Sequence, residues 1–467
     1  MAQLGDAGGT QAADPPGRDR YVDFLRVLAI GMVVVGHWLV TSVIYHSSSF
    51  QAADVLGVIR WGQWVTLLFQ VMPVFFLVGG YAAALSWSAR RARGVSAANW
   101  LRGRTVRLLV PTAAYAAVAL VGAEVCILLK APPATLALAG WAIALQLWFL
   151  PVYLALTALT PALFAAHQRW GLFVPAVMAA VGIAIDFVVI YARITPLGWL
   201  NYVLIWGAVY QMGFAWQDGT LTRNRRILPA LAAGGAALFA GLVLLGPFPP
   251  SLIGVTGERV NNTAPPSAAL AAYAAAQIGL LVAVAPAMRR WLRRPRLWRA
   301  VSRSNKIVMT VYLWHMVPVL VAGTVLYLTG VMPQPGVGSA EWWELRPVWV
   351  AVLALLLAGL LVLLNLLVRS LGRVRERPSI ESGGTVAGAA VAQPLGSLFT
   401  VVLWAGVVLA GYALYRFAVS GFAPNGEFPV VPTLSYAAGL ALVLLSGIRL
   451  YAAIGRDLRT VSTLAEW

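Results

Sequence analysis

Charge is what this chain lacks most. Asp, Glu, Lys and Arg make up only 11% of its 467 residues, whereas a soluble domain uses roughly a quarter. Long apolar runs take their place, and the mean hydropathy is +0.79. This excludes an ordinary soluble globular domain and leaves a polytopic membrane protein. Cys126 is the single cysteine, which excludes an intramolecular disulfide and leaves no thiolate set for a metal; it reads as a small buried apolar residue. The segment before Tyr21 has Asp6, Asp14, Pro15 and Pro16 but no apolar core followed by a small-residue cleavage site. The first apolar run is therefore expected to remain as a helix. Neither a Walker-type glycine loop nor a Gly-x-Ser-x-Gly elbow is present, which argues against ATP-driven transport and soluble-type serine hydrolysis. The four histidines are scattered without close carboxylate or thiolate companions, so no metal site is expected. Lysine is nearly missing as well: with only Lys130 and Lys306, the arginine and alanine bias suggests a GC-rich bacterial genome.

Stretches of about 20 residues apolar enough to cross a ~30 Å hydrocarbon core fall near 22–45, 64–87, 105–129, 143–166, 171–191, 198–216, 226–246, 267–288, 306–329, 348–369, 397–418 and 433–454. The expected fold class is all-α, a polytopic transmembrane helix bundle of about ten core spans plus two C-terminal spans. Residues 1–20 are expected to be a disordered cytoplasmic N-terminus, 21–369 the membrane domain and 370–396 a cytoplasmic linker, because the Gly-, Ser- and Ala-rich stretch Ser382 to Gln393 cannot bury enough apolar area to order itself. An additional two-helix membrane segment (397–454) and a cytoplasmic tail (455–467) follow. No internal repeat with a fixed period is visible, a mild argument against common transporter architectures.

The net charge of +18 raises the question of nucleic acid, which its distribution answers. With the N-terminus placed inside, the outward connections hold only Arg60, Lys130, Arg193, Arg259 and Arg346, while Arg26 and Arg416 lie within spans. Positive-inside insertion produces such an asymmetry and places both termini in the cytoplasm. Nucleic-acid binding is unnecessary as an explanation. Topology and contact with anionic lipid account for most cations of the basic connections Arg90 to Arg107 and Arg289 to Lys306. Arg104 and Arg107 differ, since their i, i+3 spacing on one helix face can hold a phosphate between them.

Arg26 and His37 are ionisable residues in the first apolar run, where charge is expensive. Eleven residues make about three turns, so both project from one face roughly 16 Å apart. Asp23, at i, i+3 from Arg26, can orient its guanidinium. A neutral imidazole accepts a proton from a hydroxyl, which makes His37 a candidate general base; a packed structural histidine is the competing reading. His315, in Val311-Tyr312-Leu313-Trp314-His315, is a second imidazole at similar expected depth, whereas His46 and His167 are expected in solvated connections. On the outward side, Glu124, Asp186, Asn261 and Asn262 suit hydrogen bonding to a polyol, or else neutralise arginine neighbours.

Four segments carry a resemblance. Arg20-Tyr-Val-Asp-Phe-Leu-Arg26 with His37 resembles the first-helix signature of acyltransferase family 3, membrane proteins that acylate extracytoplasmic sugars and related acceptors. Gln70-Val-Met-Pro-Val-Phe-Phe-Leu-Val-Gly-Gly-Tyr81 is similar to the family's second-helix segment, Arg104-Thr-Val-Arg107 to its Arg-x-x-Arg pair, and Val311 to His315 to its late Tyr and His motif. Many members carry serine where Gly79 stands, have about ten spans, and in some cases end in a secreted hydrolase-like domain that nothing after Gln393 resembles. The resemblance implies an acyl-CoA donor, acetyl-CoA by default, entering from the cytoplasm, with no tightly bound cofactor and no metal. It implies Arg26, Arg104, Arg107 and Tyr81 at the donor, His37, Asp23 and His315 in catalysis, and a carbohydrate or glycolipid acceptor on the far side, where residue type and position make Glu124, Asp186, Asn261 and Asn262 the candidate contacts. The expected setting is the inner membrane of a bacterium. Direct attack on the thioester and a covalent acyl-histidine relay both remain open. A secondary transporter or lipid flippase would equally explain spans and buried charges but gives no reason for the four matches; an inactive scaffold keeping the pattern is a third reading.

Overall fold

A computed structural model describes residues 19–46, 49–255, 257–375 and 397–447; the expected N-terminal segment up to residue 18, most of the linker and the tail lie outside them. The first helix, α1 (Arg20–Val40), starts at Asp19, whose carboxylate accepts the Tyr21 N–H, and stops at Thr41, whose hydroxyl donates to the His37 carbonyl at 2.6 Å. The expected continuation to Tyr45 is instead an antiparallel hairpin, β1 (Val43–His46) with β2 (Ser49–Ala52), because Thr41 turns the backbone extended. Then come α2 (Val55–Val58), α3 (Gly62–Phe69), α4 (Met72–Arg91), α5 (Ala97–Leu128), α6 (Pro133–Ala144), α7 (Phe149–Trp170), α8 (Phe173–Ala192) and α9 (Asn201–Gln217). The described chain continues through α10 (Thr220–Arg223), α11 (Ile227–Leu244), α12 (Ala268–Trp291), α13 (Pro295–Trp314), α14 (Val317–Leu328), α15 (Ala340–Arg375), α16 (Ser397–Ser420) and α17 (Val430–Leu445).

Each of the twelve expected spans overlaps at least one helix, the last of them as far as Leu445 with residues 448–454 outside the described ones, but they are not equivalent. Among the described residues nine helical segments are long and apolar enough to cross a membrane, with α3 joined to α4 and α6 to α7, and a tenth is the pair α13 and α14, bent by 53°. The other two are short. At 1.5 Å per residue α9 rises only about 25 Å, yet it buries Ile205, Trp206, Tyr210, Gln211 and Phe214 on successive faces, as a helix does when it stands inside a bundle instead of facing lipid. The molecule is thus a polytopic all-α bundle, one end marked by the arginine-rich connections and here called the basic end.

Close backbone approach sets the centre. A Cβ on Gly80 of α4 would lie 1.9 Å from the Tyr210 carbonyl oxygen of α9, and one on Gly213 would lie 2.2 Å from the Leu77 oxygen of α4. Small residues let membrane helices touch in this way, where packing replaces the hydrophobic effect as the driving force. Gly79 faces Tyr153, whose ring edge would be 2.7 Å from an added Cβ, so this chain fills with a ring on α7 the space that serine would use. The C-terminal pair docks on the same bundle: the Phe422 N–H donates to Gly140 O at 3.2 Å, the Tyr436 hydroxyl to Leu109 O at 2.8 Å, and Arg102 to the carbonyls of Val443 and Leu444.

Candidate functional site

The site forms where α1 packs against the break between α13 and α14. Pro318, in the first turn of α14, has no N–H to continue the ladder, and the Val319 N–H turns to Met316 O at 3.1 Å in a tighter turn. The carbonyl of His315 is thereby freed, and Trp38 of α1 donates its indole N–H to it at 2.8 Å. The His315 ring, fully buried, lies in the bend with Nδ1 2.8 Å from Tyr312 O and Nε2 2.9 Å from Nδ1 of His37. The two rings stack with centroids 5.1 Å apart.

This geometry fixes the tautomers of a neutral pair. A carbonyl oxygen only accepts, so Nδ1 of His315 carries the proton and its Nε2 holds a lone pair. His37 must then donate from Nδ1, which leaves the lone pair on its own Nε2. That nitrogen has no hydrogen-bond partner among the described residues, and the side chain is only half-buried. The arrangement follows the logic of a base oriented by a second group through its far nitrogen.

Gln146 supports the pair, and sequence reasoning passed over it. In the 3₁₀ turn between α6 and α7 its amide donates to Ile143 O at 2.7 Å, Leu313 O at 3.1 Å and the Tyr115 hydroxyl at 3.2 Å, and its backbone carbonyl accepts the Tyr312 hydroxyl. One buried amide thus ties α5, α6 and the end of α13 together. The available signal was a lone glutamine in an otherwise apolar run, costly to bury unless bonded.

Toward the basic end, Arg26 pairs with Asp23 at 3.4 Å, the i, i+3 contact expected. Arg104 donates to Ala82 O at 2.7 Å and Ser86 Oγ at 2.6 Å and lies over the Trp100 ring, so part of its donor capacity already holds α4 against α5. Arg107 is exposed and has no hydrogen-bond or carboxylate partner among the described residues. Tyr81 packs on Trp216 with centroids 5.0 Å apart. The arginines thus lie on two separate helices, Arg26 on α1 and Arg104 and Arg107 on α5.

Three of the outward polar residues are hydrogen-bonded within the fold. Asp186 accepts the Ala268 N–H at 2.7 Å, at the start of α12. Asn262 is buried, donates to Pro249 O and Ser251 O and accepts from Ser267 Oγ, while Asn261 Oδ1 accepts from Thr263 and Ala264 in a local turn. These bonds tie neighbouring segments together, and among the described residues none of the three hydrogen-bonds the histidine pair; Glu124 is half-buried without a partner among them. His167 is corrected too: α7 extends to Trp170, so the ring is buried in its last turn with Nε2 2.8 Å from Asp218 Oδ2, not solvated in a loop. Among the described residues no three His, Cys, Asp or Glu side chains gather as a metal would require.

A bundle of this kind, with a paired-imidazole centre and arginines toward one end, belongs to the class of multi-pass membrane proteins able to carry acyl-transfer chemistry. The family model described as an acyltransferase domain matches residues 19–365, and the chain belongs to acyltransferase family 3. It is a membrane acyltransferase. The match ends before α16, so the docked C-terminal pair lies beyond it. No curated protein and no solved structure matches the chain.

Proposed function

We propose that the protein transfers an acyl group, acetyl by default, from acyl-CoA on the cytoplasmic side to a hydroxyl of a carbohydrate or glycolipid on the other side, with the basic end cytoplasmic. The observation that carries this reading is the free Nε2 of His37, whose ring is oriented by His315. The anionic donor suits Arg107 and the spare N–H groups of Arg104 and Arg26, while its pantetheine arm spans roughly the 16 Å from Arg26 to His37 along α1. Nε2 of His37 removes the proton of the acceptor hydroxyl as the oxygen bonds to the thioester carbonyl carbon. Collapse of the tetrahedral intermediate breaks the C–S bond, and the imidazolium returns its proton to the departing thiolate. The products are an ester and CoA with His37 restored.

The test is release of CoA from labelled acetyl-CoA by the purified full-length protein. Release that depends on His37 supports the reading; release unchanged in a correctly folded His37→Ala variant overturns it. Substrate movement without CoA release would instead mark a carrier.

A further inference from the structure

A cavity opens one helix turn beyond His37, at the end of α1 away from the basic connections. Thr41 donates its N–H and its hydroxyl to the His37 carbonyl and offers its own carbonyl to Arg346 of α15, whose Nη1 donates to it at 2.8 Å. Nη2 of Arg346 donates to Ser42 Oγ at 3.2 Å, and the guanidinium lies 3.8 Å above the centroid of the Trp342 ring. These contacts clamp the cation in place. Around it is a cavity of about 140 Å³ lined in part by Ser42, Tyr327, Gln334, Trp342, Arg346 and Trp349.

The side chains of this lining offer donors and almost no acceptors. A guanidinium has five N–H groups, and three of those on Arg346 have no protein acceptor among the described residues. The indole N–H of buried Trp349 has none either. Ser42 Oγ accepts from both Trp342 and Arg346, which leaves its hydroxyl hydrogen to donate. Gln334 uses its oxygen for the Tyr45 N–H at 2.7 Å, which leaves its amide hydrogens. The Tyr327 hydroxyl has no partner among the described residues. Among the described residues no carboxylate pairs with Arg346; Glu341 and Glu344, on the same helix, are exposed and form no ion pair with it. A half-buried cation without a counter-ion, ringed by donors, is a costly arrangement to maintain and is matched by an oxygen-rich anion. A neutral polyol would need side-chain acceptors as well, and here the Tyr327 hydroxyl is the main one offered.

We propose that this cavity binds an anionic group of the acceptor, a carboxylate or a phosphate on a sugar, and so presents a neighbouring hydroxyl to Nε2 of His37 about 6 Å away along the helix axis. The role as acceptor subsite rests on the acyl-transfer reading given above; the anion site itself does not. The acceptor class is therefore an acidic or phosphorylated glycoconjugate.

Calorimetric titration of the full-length protein in nanodiscs with methyl glucuronide, glucose 1-phosphate and methyl glucoside tests it. The expected result is saturable binding of one or both charged sugars, at least ten-fold tighter than the neutral glucoside and weakened by salt. The better charged ligand distinguishes carboxylate from phosphate. Arg346→Gln is expected to lower that affinity at least ten-fold, with little change for the glucoside. Should Arg346→Gln fail to fold, the double variant Tyr327→Phe with Trp349→Phe removes two donors while keeping both rings, and a several-fold loss is expected. Equal binding of charged and neutral sugars, or no change in the variants, overturns the proposal. His37→Ala is expected to bind the charged sugar as the unaltered protein does, so the anion site and the acyl-transfer reading can fail separately.

Discussion

Nδ1 of His37 lies 2.9 Å from Nε2 of His315, across 278 positions of sequence, and because His315 gives its other nitrogen to Tyr312 O the contact has one polarity in the neutral pair. His37 donates inward and keeps its lone pair outward.

Removing the base and removing its orienter should therefore differ. His37→Ala is expected to lower CoA release about 10²- to 10⁴-fold, the range for a positioned acid–base group. His315→Ala should cost less, and His315→Gln, which restores an acceptor for His37 Nδ1–H, should recover part of the loss. Because the reaction needs an unprotonated Nε2, kcat should fall as pH drops and protons occupy it; that acid limb should vanish from the residual activity of His37→Ala. An alanine at 315 with full activity would remove His315 from the positioning role.

The two arginines of α5 are expected to separate in their effects. Arg107 is exposed and without a hydrogen-bond partner among the described residues, so Arg107→Ala should raise the apparent KM for acetyl-CoA roughly ten- to hundred-fold, as loss of a charge-assisted hydrogen bond of roughly 1.5–3 kcal/mol implies, with kcat little altered. Arg104 also bonds Ala82 O and Ser86 Oγ, and Arg104→Ala should raise KM and lower the unfolding temperature. Steady-state kinetics beside thermal unfolding in detergent tests both.

Gln146 joins the site to its surroundings, so Gln146→Leu leaves the buried carbonyls of Ile143 and Leu313 without its amide. A loss of about 1–3 kcal/mol of stability is expected, together with reduced turnover, because Leu313, two residues before His315, loses its tie to the Gln146 amide while the Tyr312 bond to the backbone carbonyl of residue 146 remains. Unfolding midpoints and CoA release on the same sample would reveal it. Unchanged values in both would show that the network is dispensable.

Adjacent glycines should respond unequally. At Gly80 an added Cβ meets backbone, the Tyr210 carbonyl at 1.9 Å, whereas at Gly79 it meets the edge of the Tyr153 ring at 2.7 Å. A backbone contact is relieved only by separating α4 from α9, so Gly80→Ala is expected to abolish folded protein or cost well over the ~1–3 kcal/mol of ordinary overpacking. Gly79→Ala should be tolerated better, as the ring can shift. Yield of monodisperse protein and its melting temperature provide the comparison.

Several features of the fold could be read in advance for definite reasons. Apolar runs of span length mark helices because a bilayer leaves the backbone no other partner than itself, and the Asp23 to Arg26 pair followed from helical spacing alone. Other features were hidden. His167 lay at the end of an apolar run and looked solvated, since only the fold brings Asp218 under α7. Asp186, Asn261 and Asn262 look alike in sequence whether they bind a ligand or cap a backbone, and here carbonyl and amide groups of neighbouring segments take them. Arg346 looked like an ordinary outward charge until α15 placed it on the end of α1.

Sequence by itself determined that the chain crosses a membrane many times, that its cations gather toward one end, and that an imidazole stands on the same helix as Arg26; these are consequences of residue type and of the 3.6-residue period. Tertiary structure alone decided which nitrogen of His37 is free, because that depends on a helix broken at Pro318, a carbonyl released there, and a partner ring delivered from another helix. Hydrogen-bond direction is a property of groups in contact, and contact between α1 and α13 is made by packing.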